Sequence, residues 1–211
     1  MSKGRLEAFS DGVFAIVITL LILDVRPEGS GLTGWQMFAH DWHKILIFVL
    51  SFVMVGVYWI SHHHMMHFIA ATDRTLLWFN LSLLLVVVFI PYAAALMSAS
   101  HADATAIRIY GSTLILINLI GAALWWYANL KRRLVHSTMP EWFAGFVLRL
   151  QTAPMLIYGL AIALASWQRF VSLALFAVVP AFFILPNPWL EKRISGAREA
   201  MLTPEDSIGQ G

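Results

Sequence analysis

Residues 62–67, His-His-His-Met-Met-His, are the part of this chain that most resembles a metal-binding site. His63 and His67 stand at positions i and i+4, so on a helix their imidazoles could share one face, as in zinc-binding pairs. The chain has no cysteine, and no nearby glutamate completes a His-Glu-x-x-His pattern. The run therefore favours hydrogen-bonding roles for one or two histidines, and a His-cluster metal-binding membrane protein is the less favoured hypothesis.

A second group of polar residues lies in the first apolar segment. Ser10 and Asp11 precede the apolar run 13–23, which at 1.5 Å per residue is too short to cross a bilayer. A crossing helix draws both residues into or near hydrocarbon, where a carboxylate costs at least about 2.5–3.5 kcal/mol. A simple anchor gains nothing from that cost, so we expect these groups to bond to a neighbouring helix.

The charged residues of this segment lack good partners on their own helix. Arg5 and Asp11 are six residues apart and face about 120° away from each other. Partners on other helices are therefore expected, and His62, His63 and Arg149 are the candidates. For Arg5, an equally weighted alternative to such a partner is that its side chain extends to the lipid headgroups.

An apolar stripe runs along the same segment. At 100° per residue, Ile16, Leu20 and Leu23 fall within about 60° of one another. Asp11 lies roughly 140° from Ile16, and Thr19 lies at the edge of the stripe. The stripe either faces lipid or a sister helix, or forms a symmetric apolar constriction around a central axis. Periodicity alone does not choose between them.

Composition places the chain among polytopic membrane proteins. Its 211 residues are 59% hydrophobic and 12% charged, with a mean hydropathy of +0.73. The absence of cysteine excludes disulfides and thiol catalysis. The net charge of +2 gives no reason to expect a nucleic-acid partner. No catalytic triad order, phosphate-binding glycine loop or carboxylate pair is present, so we predict no enzyme activity, no catalytic residues, no metal site and no cofactor.

The hydropathy pattern predicts an all-α fold with six transmembrane helices. Residues 1–191 form the predicted transmembrane domain, residues 192–211 form a short polar cytoplasmic tail, and Pro91 is expected to kink the third span. The predicted spans are 5–25, 44–63, 74–97, 104–130, 141–167 and 171–185.

The distribution of basic residues predicts the orientation. The side that holds both termini collects Lys3, Arg5, Arg74, Lys131, Arg132, Arg133, Lys192, Arg193 and Arg198, and the other side has only Arg26, Lys44, Arg108 and Arg169. By the positive-inside rule both termini are cytoplasmic, in a multi-pass protein of the inner (plasma) membrane. No internal repeat is visible, so any symmetric pathway requires oligomerisation.

Several short motifs resemble the transmembrane protein 175 potassium-channel family. Arg5-x-x-x-Phe9-Ser10-Asp11-Gly12 opens the first helix, and the second span ends on Tyr58-Trp59-x-x-His62-His63. The third opens with Arg74-x-Leu-x-x-x-Asn80, and Pro91-Tyr92 follows. These motifs cover about the first half of the chain, which is similar to the single-repeat bacterial form. That form is a homotetramer of six-helix subunits.

The resemblance implies a potassium-permeable cation channel whose pore is lined by four copies of the first helix. Ile16 would form the tightest apolar ring, Leu20 and Leu23 would stack beyond it, and Thr19 would give a weak hydroxyl contact. Permeant K⁺ and other monovalent cations would occupy this pore within the lipid bilayer. The Thr-Val-Gly-Tyr-Gly carbonyl filter of ordinary potassium channels is absent.

The resemblance also implies a polar network that holds the pore helix against its neighbours. Its expected members are Arg5, Phe9, Ser10, Asp11, Trp59, Asn80 and either His62 or His63. Proton permeation, through the same pore or through the His/Asp cluster, is the alternative function.

Overall fold

The computed structural model describes residues 2–26, 31, 33–186 and 188–202. Within them the chain is all-helical, apart from one isolated bridge between Ile69 and Val135. The helices are α1 (Lys3–Leu20), α2 (Gly34–Phe68), α3 (Arg74–Val88), α4 (Ile90–Ala99), α5 (Ala104–Asn129), α6 (Glu141–Leu164), α7 (Arg169–Ile184) and α8 (Pro188–Leu202). Short 3₁₀ turns extend α1 over Leu21–Asp24 and α5 over Leu130–Arg132.

Five helical segments of the described chain are long and apolar enough to cross a membrane. They are α1 with its 3₁₀ turn, α2, α3 together with α4, α5, and α6, while α7 is apolar but has only 16 residues. The chain is therefore a multi-pass membrane protein.

Helix α2 continues to Phe68, five residues beyond the predicted end of the second span, and two further boundaries differ from the sequence prediction. The second span, predicted from residue 44, begins at Gly34 because Thr33 and Gln36 form a capping box. In it, Gln36 Oε1 accepts from the Thr33 N–H at 2.9 Å. The predicted tail begins inside α8, which continues to Leu202. The boundary at residue 191 stays a prediction, and residues 203–211 lie outside the described part of the chain.

The predicted kink in the third span is confirmed as a break between α3 and α4. The Phe89 N–H donates to the Val86 carbonyl at 3.1 Å, and Pro91 occupies the first turn of α4. Because proline has no N–H, it cannot donate to the carbonyl four residues earlier, that of Val87. One predicted span is thus two helices.

Helix α5 lies at the centre of the packing. It contacts α3 and α4 on one side and α6 and α7 on the other. Tyr110 is fully buried against Phe176 of α7, with ring centroids 5.3 Å apart. A Cβ at Gly111 would lie 2.8 Å from Cγ1 of Ile162, so only glycine permits this approach of α6. By contrast, α1 packs mainly on α2 and α3.

Asp73 joins the start of α3 to the end of α5. Its Oδ1 accepts from the Leu76 N–H at 2.9 Å, its Oδ2 accepts from the Tyr127 hydroxyl at 2.7 Å, and Arg133 Nη2 lies 3.5 Å away. Partial burial raises the pKa of the Asp73 carboxyl, but these hydrogen bonds and the guanidinium together outweigh burial and hold the pKa below its usual value.

We expect Asp73→Asn to lower the melting temperature at neutral pH and to reduce its dependence on acid pH. The ionised Asp73 is favoured in the folded state. Its stabilising contribution is therefore present above the unfolded pKa and is lost as the pH falls through the lower folded pKa, below about pH 4. Melting of detergent-solubilised protein between pH 3 and pH 7 measures this.

Asp103→Asn is the matched control. Asp103 also caps a helix, accepting from the Ala106 N–H at 2.7 Å, and asparagine retains that capping bond. Equal losses at both positions, with the same pH profile, would contradict the role given to the Asp73 cluster.

Candidate functional site: the two faces of α1

One face of α1 packs into the bundle. Its buried residues recur at helical spacing: Leu6, Ser10, Phe14 and Val17, continued by Leu21 in the 3₁₀ turn. All are apolar except Ser10, which has no exposed surface at all. A buried hydroxyl in such a face requires a hydrogen-bond partner.

The other face of α1 is open in the single chain. The apolar stripe lies on it, with Ile16 59% exposed, Leu20 38% and Leu23 55%. Phe9 and Gly12 continue this open face toward the start of the helix. The stripe is therefore free to contact lipid or other copies of the chain. The two interpretations that the sequence left open, a stripe facing lipid or a sister helix and a symmetric apolar constriction, both require this exposure.

Thr19 also lies on the open face. Its hydroxyl donates to the Ile16 carbonyl at 2.8 Å. The hydrogen is thus used within the helix, and the oxygen keeps lone pairs that can accept or face a cation. The Thr19 hydroxyl is thus an exposed polar group beside the stripe.

A chain of buried hydrogen bonds joins α1, α2 and α3. The Asn80 Nδ2–H donates to Ser10 Oγ at 3.0 Å, and the Ser10 hydroxyl donates to the Leu6 carbonyl at 2.9 Å. His62 Nε2 lies 2.8 Å from Asn80 Oδ1. Because the amide oxygen can only accept, Nε2 carries the hydrogen and donates it. All three side chains are at most 3% exposed, so each polar atom depends on the others.

The two neighbouring histidines have different surroundings. The His62 ring packs 5.5 Å from that of Phe14, beneath the buried face of α1. The His63 ring lies 6.1 Å from that of Trp59 and is exposed. Of the two candidates left open by the sequence, His62 is the one that hydrogen-bonds to Asn80.

Asp11 forms a second connection between α1 and α2. The Trp59 indole N–H donates to Asp11 Oδ1 at 2.8 Å. Charge pairing suggested His62, His63 and Arg149 as partners for this carboxylate, whereas the family resemblance included Trp59 in the polar network. The hydrogen bond goes to Trp59. Helix α1 is thus joined to α2 at this point by an indole–carboxylate hydrogen bond and not by an ion pair.

Other candidates from the sequence lie apart from this network. Arg5 and Phe9 are exposed on the open face of α1, and Arg149 is exposed on α6. Within the described residues, no three His, Asp or Glu side chains come together in a way that could hold a metal ion. His62, which belongs to the run 62–67, hydrogen-bonds to Asn80 through its Nε2 atom.

A further buried polar cluster joins α2, α5 and α6, and the sequence analysis did not identify it. The Asn118 Nδ2–H donates to the Tyr58 hydroxyl at 2.8 Å and to the Leu114 carbonyl at 2.8 Å. The Tyr58 hydroxyl in turn donates toward that of Tyr158 at 3.5 Å. An asparagine in the middle of one predicted span and a tyrosine in another were the available signals, because such groups in a membrane require partners.

The first half of the chain, residues 5–91, matches the family model described as "Endosomal/lysosomal potassium channel TMEM175". A potassium channel of Chryseobacterium sp. (strain P1-3) is 30% identical over 203 residues, covering 92% of this chain and 98% of the relative. The human endosomal/lysosomal proton channel TMEM175 is 30% identical over 181 residues, covering 78% of this chain but only 35% of the human protein.

The structure is also similar to a solved one. It matches the crystal structure of a lysosomal potassium-selective channel TMEM175 homolog from Chamaesiphon minutus with a TM-score of 0.76 and 27% sequence identity. The match covers 87% of this chain and 96% of that one.

We expect Asn80→Leu to destabilise the protein. Leucine leaves the His62 N–H without its acceptor and removes the donor to Ser10, and each unsatisfied buried polar group costs about 1–3 kcal/mol. Leu81→Ala is the control, since Leu81 is exposed on the same helix. Thermal unfolding in detergent measures both variants, and equal melting temperatures would contradict the importance of the buried chain.

Proposed function

Since this chain belongs to the TMEM175 family of ion channels, we propose that it is a potassium-permeable channel whose pore is lined by α1. The observation that carries the proposal is the division of α1 into two faces. The polar anchors lie on one side and the bulky stripe is open on the other. The potassium channels named among its relatives support the choice of ion.

The anchors orient the stripe. Ser10 faces Asn80 on α3, and Asp11 faces Trp59 on α2, so α1 is held at two positions around its circumference. Ile16 is six residues after Ser10 and therefore about 120° around the helix. With both anchors engaged, the Ile16 side chain points away from its own subunit.

Four copies arranged around one axis would bring four Ile16 side chains together. Leu20 and Leu23 would form further apolar rings toward the outside. A closed symmetric assembly of this kind suits a chain without internal repeats. The homotetramer is proposed together with six spans per subunit, in which α7 is the sixth.

An apolar ring selects ions through the cost of removing their water. A cation that passes four isoleucines loses water contacts and gains little in return. Potassium gives up water more readily than sodium, so the barrier favours potassium. The preference is smaller than that of a carbonyl filter, because no protein oxygens replace the lost water. K⁺ in the pore is therefore a transient occupant, and no cofactor is required.

We place the protein in the plasma (inner) membrane with both termini in the cytoplasm. The support is the excess of lysine and arginine near the membrane ends on that side. In this orientation Ser10 and Asn80 lie near the cytoplasmic end of the pore helix, and Leu23 lies near the outer end.

Proton permeation through the same pore is the second candidate function. The family's animal relatives that are named proton channels favour it. Protein in liposomes with a pH gradient and an internal pH dye would then acidify the lumen in potassium-free solution. A metal-dependent role for residues 62–67 has no comparable support, because the described residues bring no set of metal ligands together.

We predict that Ile16→Asn raises flux and erodes the preference for potassium over sodium. An amide in the ring contacts the partly dehydrated ion. A contact that lowers the barrier to ion passage by about 1.4 kcal/mol, near the low end for a hydrogen bond to a charged group, raises the flux about tenfold. Flux of each ion from purified protein in liposomes measures the effect.

Leu160→Asn is the matched control for this measurement. Leu160 is about as exposed as Ile16 but lies on α6, so its amide should leave flux and selectivity unchanged. Unchanged flux and selectivity in Ile16→Asn, with the protein still assembled, would remove Ile16 from the constriction.

We predict that Asp11→Ala reduces assembly more than it changes ion preference. It removes the acceptor of the Trp59 indole N–H, a bond within one subunit that helps to fix the rotation of α1. Size-exclusion chromatography and liposome flux separate the two effects. Intact oligomers with altered selectivity would place Asp11 on the ion pathway instead.

A further inference from the structure

A cavity of about 460 Å³ lies on the side of the bundle away from α1. Helices α2, α5, α6, α7 and α8 enclose it, and we refer to it as the lateral slot. Its inner end is bounded by Met54 and Tyr158, and its other end by Phe68, Phe143 and Ile194. It shares no residue with the Ser10–Asn80–His62 chain, so the proposed pore does not account for it.

The lateral slot runs parallel to the helices. Met54 and Phe68 are fourteen residues apart on α2, or roughly 21 Å by helix rise. On α6, which runs in the opposite direction, Phe143 and Tyr158 give roughly the same length. Half of the thickness of a bilayer, counted with its headgroup region, is about 20–22 Å. The slot thus has the length of one leaflet, from the bilayer midplane to the interface at which α2 ends.

The walls of the lateral slot are chemically suited to a hydrocarbon chain. Most of its lining is aliphatic or aromatic, with Val147, Leu150 and Phe183 as examples along its length. At its inner end, the hydroxyls and amide of Tyr58, Asn118 and Tyr158 are hydrogen-bonded among themselves. They therefore require no polar group from a ligand. A dry apolar void costs free energy in proportion to its volume, so a space of this size next to lipid is filled.

Charged residues lie where the lateral slot reaches the interface. Glu191 lines this end and is exposed, so it forms the rim. Arg193 lies one residue before Ile194, and its guanidinium is 5.1 Å from the ring centroid of Trp142. Arg193 is two residues after Glu191, about 200° around α8, so the two side chains lie on different faces of that helix. The charge that the lateral slot itself presents is therefore the Glu191 carboxylate, which is complementary to the ammonium of a lipid headgroup.

We propose that the lateral slot binds one acyl chain of an ammonium-bearing phospholipid from the adjacent leaflet, with the ammonium at Glu191. The chain fills the space between α2 and α6, and α8 covers the headgroup end. In the orientation proposed above, this is the cytoplasmic leaflet. The binding site does not depend on the ion that the pore conducts.

The full chain, reconstituted in vesicles of phosphatidylethanolamine and phosphatidylglycerol, tests the proposal. Each lipid is supplied in turn with a diazirine at the middle of one acyl chain, and labelled residues are located by peptide mass spectrometry after illumination. We expect phosphatidylethanolamine to label slot residues such as Val147 and Phe183. Labelling confined to outward residues such as Leu156, or cross-linking of these walls to a second copy of the chain, would overturn the proposal.

Two tryptophan variants on α6 provide the matched comparison. Leu150→Trp places a large ring inside the lateral slot and should reduce slot labelling several-fold. Leu156→Trp adds the same ring at a position that is 81% exposed and outside the slot, and should leave slot labelling unchanged. Equal slot labelling in the two variants would refute occupancy by an acyl chain. The wild-type map remains decisive even if Leu150→Trp does not fold.

The headgroup part of the proposal is tested separately with Glu191→Gln. The neutral amide should abolish the preference for phosphatidylethanolamine over phosphatidylglycerol while the acyl chain still labels the slot. Equal labelling by the two lipids in the wild type would refute recognition of the ammonium at Glu191.

Discussion

The arrangement of this subunit depends on one buried chain of hydrogen bonds, from His62 through Asn80 to Ser10. Inside a membrane, water does not replace a lost partner, so these three side chains accept only one rotation of α1. Turning α1 by a single residue, about 100°, would leave Asn80 without Ser10 and would carry Ile16 off the open face. The position of an apolar stripe is thereby fixed by polar contacts on the opposite side of its helix.

The subunit has two sides that differ in construction. On one side, α1 packs on α2 and α3 and presents an apolar face outward. On the other, α6 and α7 pack against α5, where Gly111 allows a close approach of α6 in the first third of α5. Toward the end of α2, residues of α2 and α6 line most of the lateral slot, while α5 stays in contact with α6 through the Trp125 indole N–H, which donates to the Ala144 carbonyl at 2.9 Å. The proposed ion passage and the proposed lipid contact are thus assigned to separate regions.

Local patterns in the sequence were enough to predict the apolar helices and the apolar stripe on α1, although α8 was not predicted. Hydropathy and the 3.6-residue period are properties of single segments, so Ile16 could be placed opposite the polar flank before any neighbour was known. The start of α2 was wrong, because the capping box at Thr33 was overlooked. The sequence could not show whether His62 or His63 joins the network, because the two rings differ in their neighbours. The His62 ring packs against Phe14 of α1, and the His63 ring lies next to Trp59 of its own helix. Partners that come from three separate helices, as around Asn118, are not visible in local patterns at all.

The interruption at Phe89 divides the third span at a point that matters for α1. The first piece, α3, carries Asn80 and therefore holds the N-terminal half of α1. The second piece, α4, rests against α2 and against the turn Leu21–Asp24. Since Pro91 cannot donate to the Val87 carbonyl, α3 and α4 are two helices that meet at Phe89 and do not form one continuous rod. The two ends of α1 therefore rest on different helices: its N-terminal half hydrogen-bonds to α3, and its 3₁₀ turn packs on α4.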